Sequence, residues 1–335
     1  MIRAMYSGIS GLRANQTKLD VIGNNIANVG TTAFKNQRIR FQDMLSQNVR
    51  QATGPGRNLG GTNASQVGLG VQVAGIDTTM TPGNMQTTGG TLDTAIDGDG
   101  FFVVGKGPTD AKIVIKKDDM TADTGTTMET MFTRDGSFTL DYNSNLVNSD
   151  GLRIMGYATT ADGKTSISYG SDGKRTMEFV DSESEDLKAD EQQLVPLAIP
   201  DEIEDGGEKL KVKSFSIDKN GVIKAVLSNN KVTALGQIAM ASFKNTEGMT
   251  KLGKNLWQNS ANSGEAIFRN GVGTDATTPN DSGYGDMLQG MLEMSNVDLA
   301  EQFSEMIVAS RAFQANGKII TTSDEILQEL VNLKR

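Results

Sequence analysis

The chain has 335 residues, 37% of them hydrophobic, and a formal net charge of −9. Because it contains neither cysteine nor histidine, it lacks a thiol nucleophile, the commonest general base and the commonest metal ligand. An enzyme is therefore disfavoured, and no cofactor, metal or small-molecule substrate is expected. The acidic balance also argues against a nucleic acid bound through its phosphates.

The first 28 residues are predicted to form a coiled-coil-like helix. Apolar side chains recur at alternating intervals of three and four, with Gln16 and Gly23 filling two gaps in the series. The series is Ile2, Met5, Ile9, Leu12, Leu19 and Ile26. This end lacks the apolar run of a cleaved signal peptide, and no segment approaches the roughly 18 apolar residues that span a bilayer. We expect a cytoplasmic chain or one exported on an uncleaved signal.

The stretch from Leu19 to Lys35 changes character partway along. Apolar spacing continues through Ile22 to Ile26, and then small and polar residues accumulate. These are Asn24, Asn25, Asn28, Gly30, Thr31 and Thr32. Asn and Thr side chains can hydrogen-bond exposed backbone groups at a helix end and in extended chain. The helix is therefore predicted to end here, followed by an extended linker over 29–67 with Phe34 as an apolar anchor.

The middle of the chain is predicted to be β-rich. Short alternating runs are separated by Asp-Gly, Asn-Gly and Pro-Gly turn signals. The runs are "GVQVAGI", "GFFVV", "SFTLDYNSNLV", "KVKSFSID", "GVIKAVL" and "GQIAMASF". They predict one β-rich domain made of residues 68–160 together with 210–294.

Residues 161–209 are predicted to form a small acidic insertion. The stretch from Asp181 to Glu208 holds eleven acidic residues and one basic residue, Lys188. A run of like charge is typical of a solvated surface. We therefore expect a surface excursion.

Residues 295–335 are predicted to form a second coiled-coil-like helix, with Ser295 and Asp298 as its capped start. Ser310, Gly317 and Asp324 interrupt its apolar series. The series is Leu299, Phe303, Met306, Phe313, Ile320, Leu327 and Val331. The predicted fold class is mixed but mainly β: a β-rich centre is flanked by N- and C-terminal helices that pair with each other.

Two interpretations of these helices remain open. Packed only on each other, they bury little apolar surface for the chain they order, so neighbouring copies would complete their packing. The alternative is an ordinary antiparallel hairpin that closes over the β body. Small residues within the two series favour packing on several sides, because they admit close neighbours. These residues are Gly8, Gly11, Gly23, Ser310 and Gly317.

Several segments resemble known binding or catalytic motifs but lack required residues or have a simpler structural explanation. Gly163, Lys164 and Thr165 resemble the end of a phosphate-binding loop, but Ala158 occupies the position of its first glycine. The stretch from Asp141 resembles a calcium loop and lacks that loop's glycine and final glutamate, so a hairpin explains it better. Asp97 and Asp99 could act as a glycosidase pair, but Asp-Gly repeats before a strand are ordinary turn chemistry. A surface-layer or adhesin stalk would share the composition but gives no reason for heptads at both ends.

Both ends resemble those of the axial proteins of the bacterial flagellum, the family of rod, hook and hook-associated proteins. The N-terminal resemblance is carried by "SGISGLRANQTKLDVIGNNIANVGTTAFKNQRIRFQDML" and the C-terminal one by "EMSNVDLAEQFSEMIVASRAFQANGKIITTSDEILQELVNLKR". Within the family, "GLGVQVAGI", "NTEGMTKLGKNLW" and "EMSNVDL" are most similar to hook members, in particular the compact Gram-positive type. Distal rod members are the alternative. One departure is Ala33, where the family usually has glycine before the "FK" pair.

The resemblance implies a self-assembling structural protein of a curved hollow hook that transmits torque from rod to filament. Paired terminal helices would line the inner tube, the linker would bridge neighbours and the β-rich domains would lie outside. Implied partners are other copies, the rod, the hook cap, the hook–filament junction proteins and the flagellar type III export apparatus. The implied location is the hook and basal body, outside the cytoplasmic membrane.

The resemblance and the apolar series together predict an assembly interface. Its residues are Met5, Ile9, Leu12, Leu19, Ile22, Asn24, Asn25, Ile26, Asn28, Phe34, Leu299, Phe303, Met306, Phe313, Ile320 and Leu327.

Overall fold

The structure is a computed structural model that describes residues 2–57, 60–109, 111–116, 120–123, 128–161, 163–170, 175–184, 186–205, 207–269 and 285–333. The chain divides into two compact units. The helical unit comprises Met1–Gly30, Lys35–Thr79 and Val297–Arg335, and the β unit comprises Thr31–Phe34 and Met80–Asn296. Residues 58–59 of the expected linker and 270–284 of the expected β-rich domain lie outside the described residues.

The predicted fold class is confirmed, since two helices flank a mainly β centre. The helices are α1 (Ile2–Ala27) and α2 (Leu299–Asn332). The strands of the helical unit are β1 (Gln37–Asp43), β2 (Ser46–Arg50), β3 (Ser65–Gly68) and β4 (Val71–Thr78). Those of the β unit are β5 (Met85–Thr87), β6 (Thr94–Asp97), β7 (Phe101–Lys106), β8 (Ile113–Val114), β9 (Glu129–Thr133), β10 (Thr139–Leu140), β11 (Leu146–Val147), β12 (Arg153–Ala161), β13 (Lys164–Thr165), β14 (Ile167–Tyr169), β15 (Arg175–Met177), β16 (Lys188–Pro196), β17 (Glu202–Asp205), β18 (Glu208–Ile217), β19 (Val222–Leu227), β20 (Val232–Ile238), β21 (Met240–Ser242), β22 (Thr250–Gly253), β23 (Leu256–Gln258), β24 (Ile267–Arg269), β25 (Asp286–Gln289) and β26 (Met291–Glu293).

In the helical unit, α1 and α2 pack antiparallel. The start of α1 at Gly8 lies beside Ile320, and its end at Asn25 contacts Gln302. Two antiparallel ribbons, β1 with β4 and β2 with β3, complete the unit. The predicted cap at Ser295 is wrong by three residues. The carboxylate of Asp298 accepts from the backbone N–H of Ala300 and Glu301, so α2 begins immediately after it.

The β unit is built on a network of antiparallel strands. Its main path runs β17-β18-β19-β20-β12-β7-β9-β23-β22. The predicted strand runs correspond to β7, β10 with β11, β18, β19, and β20 with β21, while "GVQVAGI" forms most of β4. The stretch that resembles a calcium loop is the β10–β11 hairpin, as its turn residues indicated.

Apolar clusters cover both faces of β7, which explains its unbroken apolar sequence. Phe102 and Val104 belong to one cluster, and Phe101 and Val103 belong to the other. All four side chains are buried, and Phe102 is fully so. The core of the β unit therefore lies on two sides of one central strand.

The acidic segment is not a surface excursion. Strand β16 pairs with β12 in the main network, and it places Leu194 in one cluster and Val195 in the other. Acidic residues such as Glu183 and Asp186 remain exposed. Charge dominates the composition of the segment, but the alternation of a strand lets its apolar residues reach the core.

Candidate assembly interface

Small and polar residues mediate the contact between α1 and α2. In α2 the buried residues are Gln302, Ala309 and Ser323, one heptad and then two heptads apart. In α1, Gly8 and Gly11 are buried. A Cβ atom built on Gly11 would lie 2.7 Å from Nδ2 of Asn316. The helices therefore approach closely where side chains are small.

The large apolar residues of the two predicted series are not buried by this pairing. Five residues of these series are exposed by more than a third of their surface: Ile9 (37%), Leu299 (40%), Phe303 (49%), Phe313 (39%) and Val331 (66%). The half-buried members are Met5, Leu12, Leu19, Ile26, Met306, Ile320 and Leu327. A single chain thus pairs its helices and still leaves an apolar stripe partly uncovered.

Three predicted interface residues lie inside one chain instead. Ile22 and Phe34 are each 2% exposed and Asn25 is 1% exposed. Their surroundings are intrachain, so these side chains are unavailable to a neighbour in this conformation. Regular spacing could not distinguish them from their neighbours, because burial depends on which helical face meets the partner.

Further exposed apolar residues of α2 lie outside the predicted series. The most exposed are Ile307 (63%) and Val308 (64%). Others are Ile319, Ile326 and Leu330. Apolar residues on more than one helical face are the signal that could have found them, since such a helix needs cover on several sides.

The glycines of the helices divide into two groups. Gly8 and Gly11 face α2 at van der Waals distance or closer, whereas a Cβ added at Gly23 or Gly317 would have no atom of the described residues within 4 Å. The first pair permits the intrachain contact. Among the described residues, the second pair makes no such contact.

The asparagine side chains at the end of α1 form hydrogen bonds with polar groups of their own chain. Asn28 Nδ2 donates to the backbone oxygen of Asn24 at 2.8 Å and to its side-chain Oδ1 at 3.1 Å. The Asn25 side chain bonds twice to the backbone of Gln37: its Nδ2 donates to the carbonyl at 2.8 Å, and its Oδ1 accepts from the N–H at 3.0 Å. These bonds end the helix and hold the start of β1, which is the chemistry that the polar composition predicted.

Residues Thr31–Phe34 belong to the β unit and are held there by defined contacts. Ala33 has φ +54°, the left-handed conformation that explains why glycine is usual at this position. Its N–H donates to the carbonyl of Glu293 at 2.8 Å. Asn255 Nδ2 donates to the carbonyl of Thr32 at 2.9 Å. The backbone of this segment is therefore bonded at Ala33 and at the residue before it.

The ring of Phe34 forms the apolar part of the same attachment. The ammonium of Lys251 lies 4.4 Å from its centroid and 5.7 Å from that of Trp257. Desolvation by burial lowers the pKa of Lys251. A cation held over two aromatic faces adds attraction to the burial of Phe34.

A buried ion pair supports this attachment. Arg134 Nε lies 3.2 Å from Oε2 of Glu293, and both side chains are almost fully buried. Arg134 also donates to the carbonyls of Gly98 and Gly100, each at 2.8 Å, and Glu293 accepts from the N–H of Gly83 at 2.9 Å. Burial lowers the pKa of the Arg134 guanidinium, while the carboxylates of Glu293 and Asp99 oppose that shift. The pair joins neighbouring loops to the strand that binds Ala33.

Paired terminal helices that contact each other through small residues and leave large apolar residues partly uncovered are the arrangement expected of a self-associating structural protein. Family models match three parts of the chain. Residues 5–35 match the flagella basal body rod protein model, 120–225 the flagellar hook protein FlgE/F/G D1 domain, and 288–333 the flagellar basal body rod FlgEFG protein C-terminal model. The chain belongs to the hook and rod family of bacterial flagellar axial proteins.

Relatives extend the similarity over the whole chain. It is 41% identical over 335 residues to the flagellar basal-body rod protein FlgG of Bacillus subtilis, with 100% of both chains covered. From Borreliella burgdorferi, the flagellar hook protein FlgE is 31% identical over 470 residues and the rod protein FlgG is 32% identical over 341, again with full coverage of both chains. Identity to these two relatives does not separate hook from rod.

Family membership establishes a structural component of the flagellar hook or basal body that polymerises within the axial structure, and not an enzyme. Asp97, considered as a catalytic carboxylate, is the last residue of β6 and pairs with Asp286 of β25. Neither helix in the described part of the chain has the length and apolarity required to cross a bilayer.

Proposed function

We propose that this protein forms the flagellar hook, a curved hollow tube that transmits torque from the rod to the filament. The observation that carries assembly is the partly uncovered apolar stripe on the paired helices, with Phe303 and Phe313 as its largest members. Burying such side chains against other copies would release apolar surface from water. Other copies of the chain are therefore the expected cover.

The hook assignment is supported by three segments that resemble hook members. Two of them contribute to the attachment of Thr31–Phe34: "NTEGMTKLGKNLW" supplies Lys251 and Asn255, and "EMSNVDL" begins with Glu293. The third, "GLGVQVAGI", supplies most of β4, which pairs with β1 just after that attachment. The hook-like segments thus contribute to the path by which the chain leaves α1.

The alternative is the distal rod, and chain length favours it. The rod relatives align over 335 and 341 residues, close to the length of this chain, whereas the hook relative requires 470 aligned positions. A straight rod would use the same helical stripe. The two assignments therefore differ in the place of the polymer along the axis and not in how its helices associate.

In the proposed polymer, residues 1–28 and 295–335 line the inner wall, and the linker over 29–67 bridges neighbouring copies. The β unit, which includes residues 161–209 but whose main part begins at Met80 and so excludes β4, completes each subunit. The proposed partners are the rod, the hook cap and the hook–filament junction proteins. Delivery would use the flagellar type III export apparatus without cleavage of a signal, which would place the protein outside the cytoplasmic membrane.

Electron microscopy of a deletion strain distinguishes the two assignments. Basal bodies with a complete rod but no hook are expected if the protein is the hook. Arrest before the rod is complete would support the distal rod and overturn the hook assignment.

Polymerisation of purified protein tests the stripe directly. Phe313→Asp should abolish assembly, because it places a charge where apolar burial is expected. Phe313→Leu keeps an apolar side chain, and Gln314→Asp introduces the same charge at the next exposed position, so both should assemble. Normal polymers from Phe313→Asp would contradict the proposed interface.

Limited proteolysis tests whether the helices need other copies. Cleavage within the terminal helices of the monomer and protection in the polymer are expected. Intact termini in the monomer would favour a stable helical hairpin.

A further inference from the structure

The intrachain contact and the apolar series follow the same heptad but are offset by one residue. In α1 the contact passes through Gly11, Lys18 and Asn25, while the apolar series has the next residue in each case. Those next residues are Leu12, Leu19 and Ile26. One residue corresponds to about 100° around a helix. The helices therefore meet through faces rotated away from their most apolar sides.

The same offset occurs over the first part of α2, whereas Ile320 of the apolar series lies beside Gly8. Gln302 and Glu305 make the contacts with α1, whereas the apolar series has Phe303 and Met306. Asn316 packs against Gly11, and the next residue is Gly317. Facing apolar heptads would bury more apolar surface, and periodicity alone predicts that arrangement. A specific interaction must therefore favour the observed rotation.

The strongest candidate is a buried pair of amides. Asn25 Nδ2 donates to Oε1 of Gln302 at 3.0 Å, and the two side chains are 1% and 6% exposed. The Asn25 amide is also held by its two bonds to the backbone of Gln37. Rotating α1 by one residue would break these bonds and leave buried polar groups without partners, which costs about 1–3 kcal/mol for each group.

Two further contacts support the same rotation. Lys18 Nζ lies 3.4 Å from Oε2 of Glu305, a partly exposed pair of small energetic value. A Cβ at Gly11 would meet the side chain of Asn316, so the close approach depends on glycine. Of these contacts, only the amide pair combines burial with directional bonds.

We propose that the Asn25–Gln302 pair selects this rotation of the helices. It thereby prevents the apolar stripe from being buried between the two helices of one chain. A single buried polar residue can determine the register of a coiled coil at the expense of stability. Here the proposed consequence is that Phe303 and Phe313 stay available to other copies. This inference rests on the proposed self-assembly for its consequence but not for the geometry.

Engineered disulfides test the rotation, and the cysteine-free chain is a clean background for them. Gly11→Cys with Asn316→Cys reports the observed contact, since a Cβ at 11 lies 3.1 Å from Cγ of Asn316. Leu12→Cys with Gly317→Cys reports the arrangement rotated by one residue. Each pair is placed in full-length protein and oxidised below and above the concentration at which it polymerises.

The test variant is Asn25→Leu with Gln302→Leu. Its matched control is Gln16→Leu with Gln314→Leu, an amide-to-leucine change at one exposed position in each helix. In the parent and the control, the 11–316 disulfide should predominate. In the test variant, the ratio of the two disulfides should shift by about tenfold or more toward 12–317. The variant should be at least as stable as the parent but polymerise poorly.

Each outcome has a definite meaning. Unchanged 11–316 cross-linking in the test variant would overturn the proposal. The absence of both disulfides in the parent would also overturn it, because the helices would then not pair within one chain. Fluorescence of Trp257, the only tryptophan, reports folding of the β unit, and circular dichroism at the helical band reports α1 and α2. If cross-linking shifts as expected but the parent never polymerises, the proposed role of the Asn25–Gln302 pair in selecting the rotation stands, and the proposed function fails.

Discussion

The β unit and the helical unit bury different kinds of side chain. Phe102 in the β unit is fully buried and packs edge-on against Phe138, with 5.1 Å between ring centroids. In α2 the buried residues are Gln302, Ala309 and Ser323, while Phe303 is about half exposed. One unit has a core of its own, and the other leaves much of its apolar surface uncovered. The packed core and the proposed assembly surface therefore lie in different regions.

Truncating one phenylalanine in each unit should give the largest difference in the free energy of unfolding. Phe102→Ala should lower the free energy of unfolding of the β unit by about 3–5 kcal/mol, because it leaves a cavity in a packed core. Phe313→Ala, at a side chain 39% exposed, should change monomer stability by less than about 1 kcal/mol. Urea titrations followed by Trp257 fluorescence and by circular dichroism measure the two. Equal losses would remove the contrast between the units.

Breaking the buried ion pair should cost nearly as much. Glu293→Ala leaves the Arg134 guanidinium buried without its carboxylate and should destabilise the β unit by about 3–5 kcal/mol. Glu293→Gln retains an acceptor for Gly83 and should cost less. Replacing both partners, as Arg134→Met with Glu293→Leu, should recover much of the loss. A double variant as unstable as the Ala variant would show that the pair is not the source of the effect.

Two glycines should sharpen the comparison within the helical unit. Gly317→Ala should stabilise α2 in the monomer by about 1 kcal/mol, because alanine favours helix and a Cβ there would meet none of the residues that the structure describes. Gly11→Ala should gain less or lose stability, since the new methyl group would displace Asn316. Thermal unfolding followed by circular dichroism measures both. If a neighbouring copy approaches Gly317 in the polymer, Gly317→Ala should also weaken assembly.

A substitution in the Thr31–Phe34 segment should have a smaller effect and should stabilise the β unit. Ala33→Gly should stabilise the β unit by up to about 1 kcal/mol, because the left-handed conformation at φ +54° is strained for alanine and free for glycine. The greater freedom of glycine in the unfolded chain offsets part of that gain. A loss of stability in the urea titration would indicate that the strain at Ala33 is negligible.

The smallest effect concerns a surface pair of the β unit. A hydrogen bond from Lys224 lowers the pKa of Asp218 below its usual 3.8, against an opposing effect of desolvation. Its stabilising contribution is therefore present above pH 3.8 and is lost as the pH falls through the lower folded pKa. The difference in melting temperature between the parent and Asp218→Asn should shrink over that window. A difference that grows on acidification would contradict the shift.

Much of the fold was predictable because it depends on local chemistry. Alternation identified β18 and β19, and a short apolar run identified β7. Heptads identified both helices, and the predicted ends of α1 are correct to within about two residues. The polar end of α1 was predictable as well, since asparagine side chains bond to nearby backbone. The acidic segment was misinterpreted because its charge obscured the alternation that brings Leu194 and Val195 into the core.

By itself, the sequence determined that the two terminal helices exist, where the β strands lie between them and which side chains could form an apolar stripe. Only the tertiary structure decided which helical faces meet, and therefore which of those side chains stay exposed. The physical reason is that a rotation of one residue leaves the periodicity unchanged. The observed rotation is the one that places Asn25 within hydrogen-bonding distance of Gln302, which lies 277 residues away in the chain.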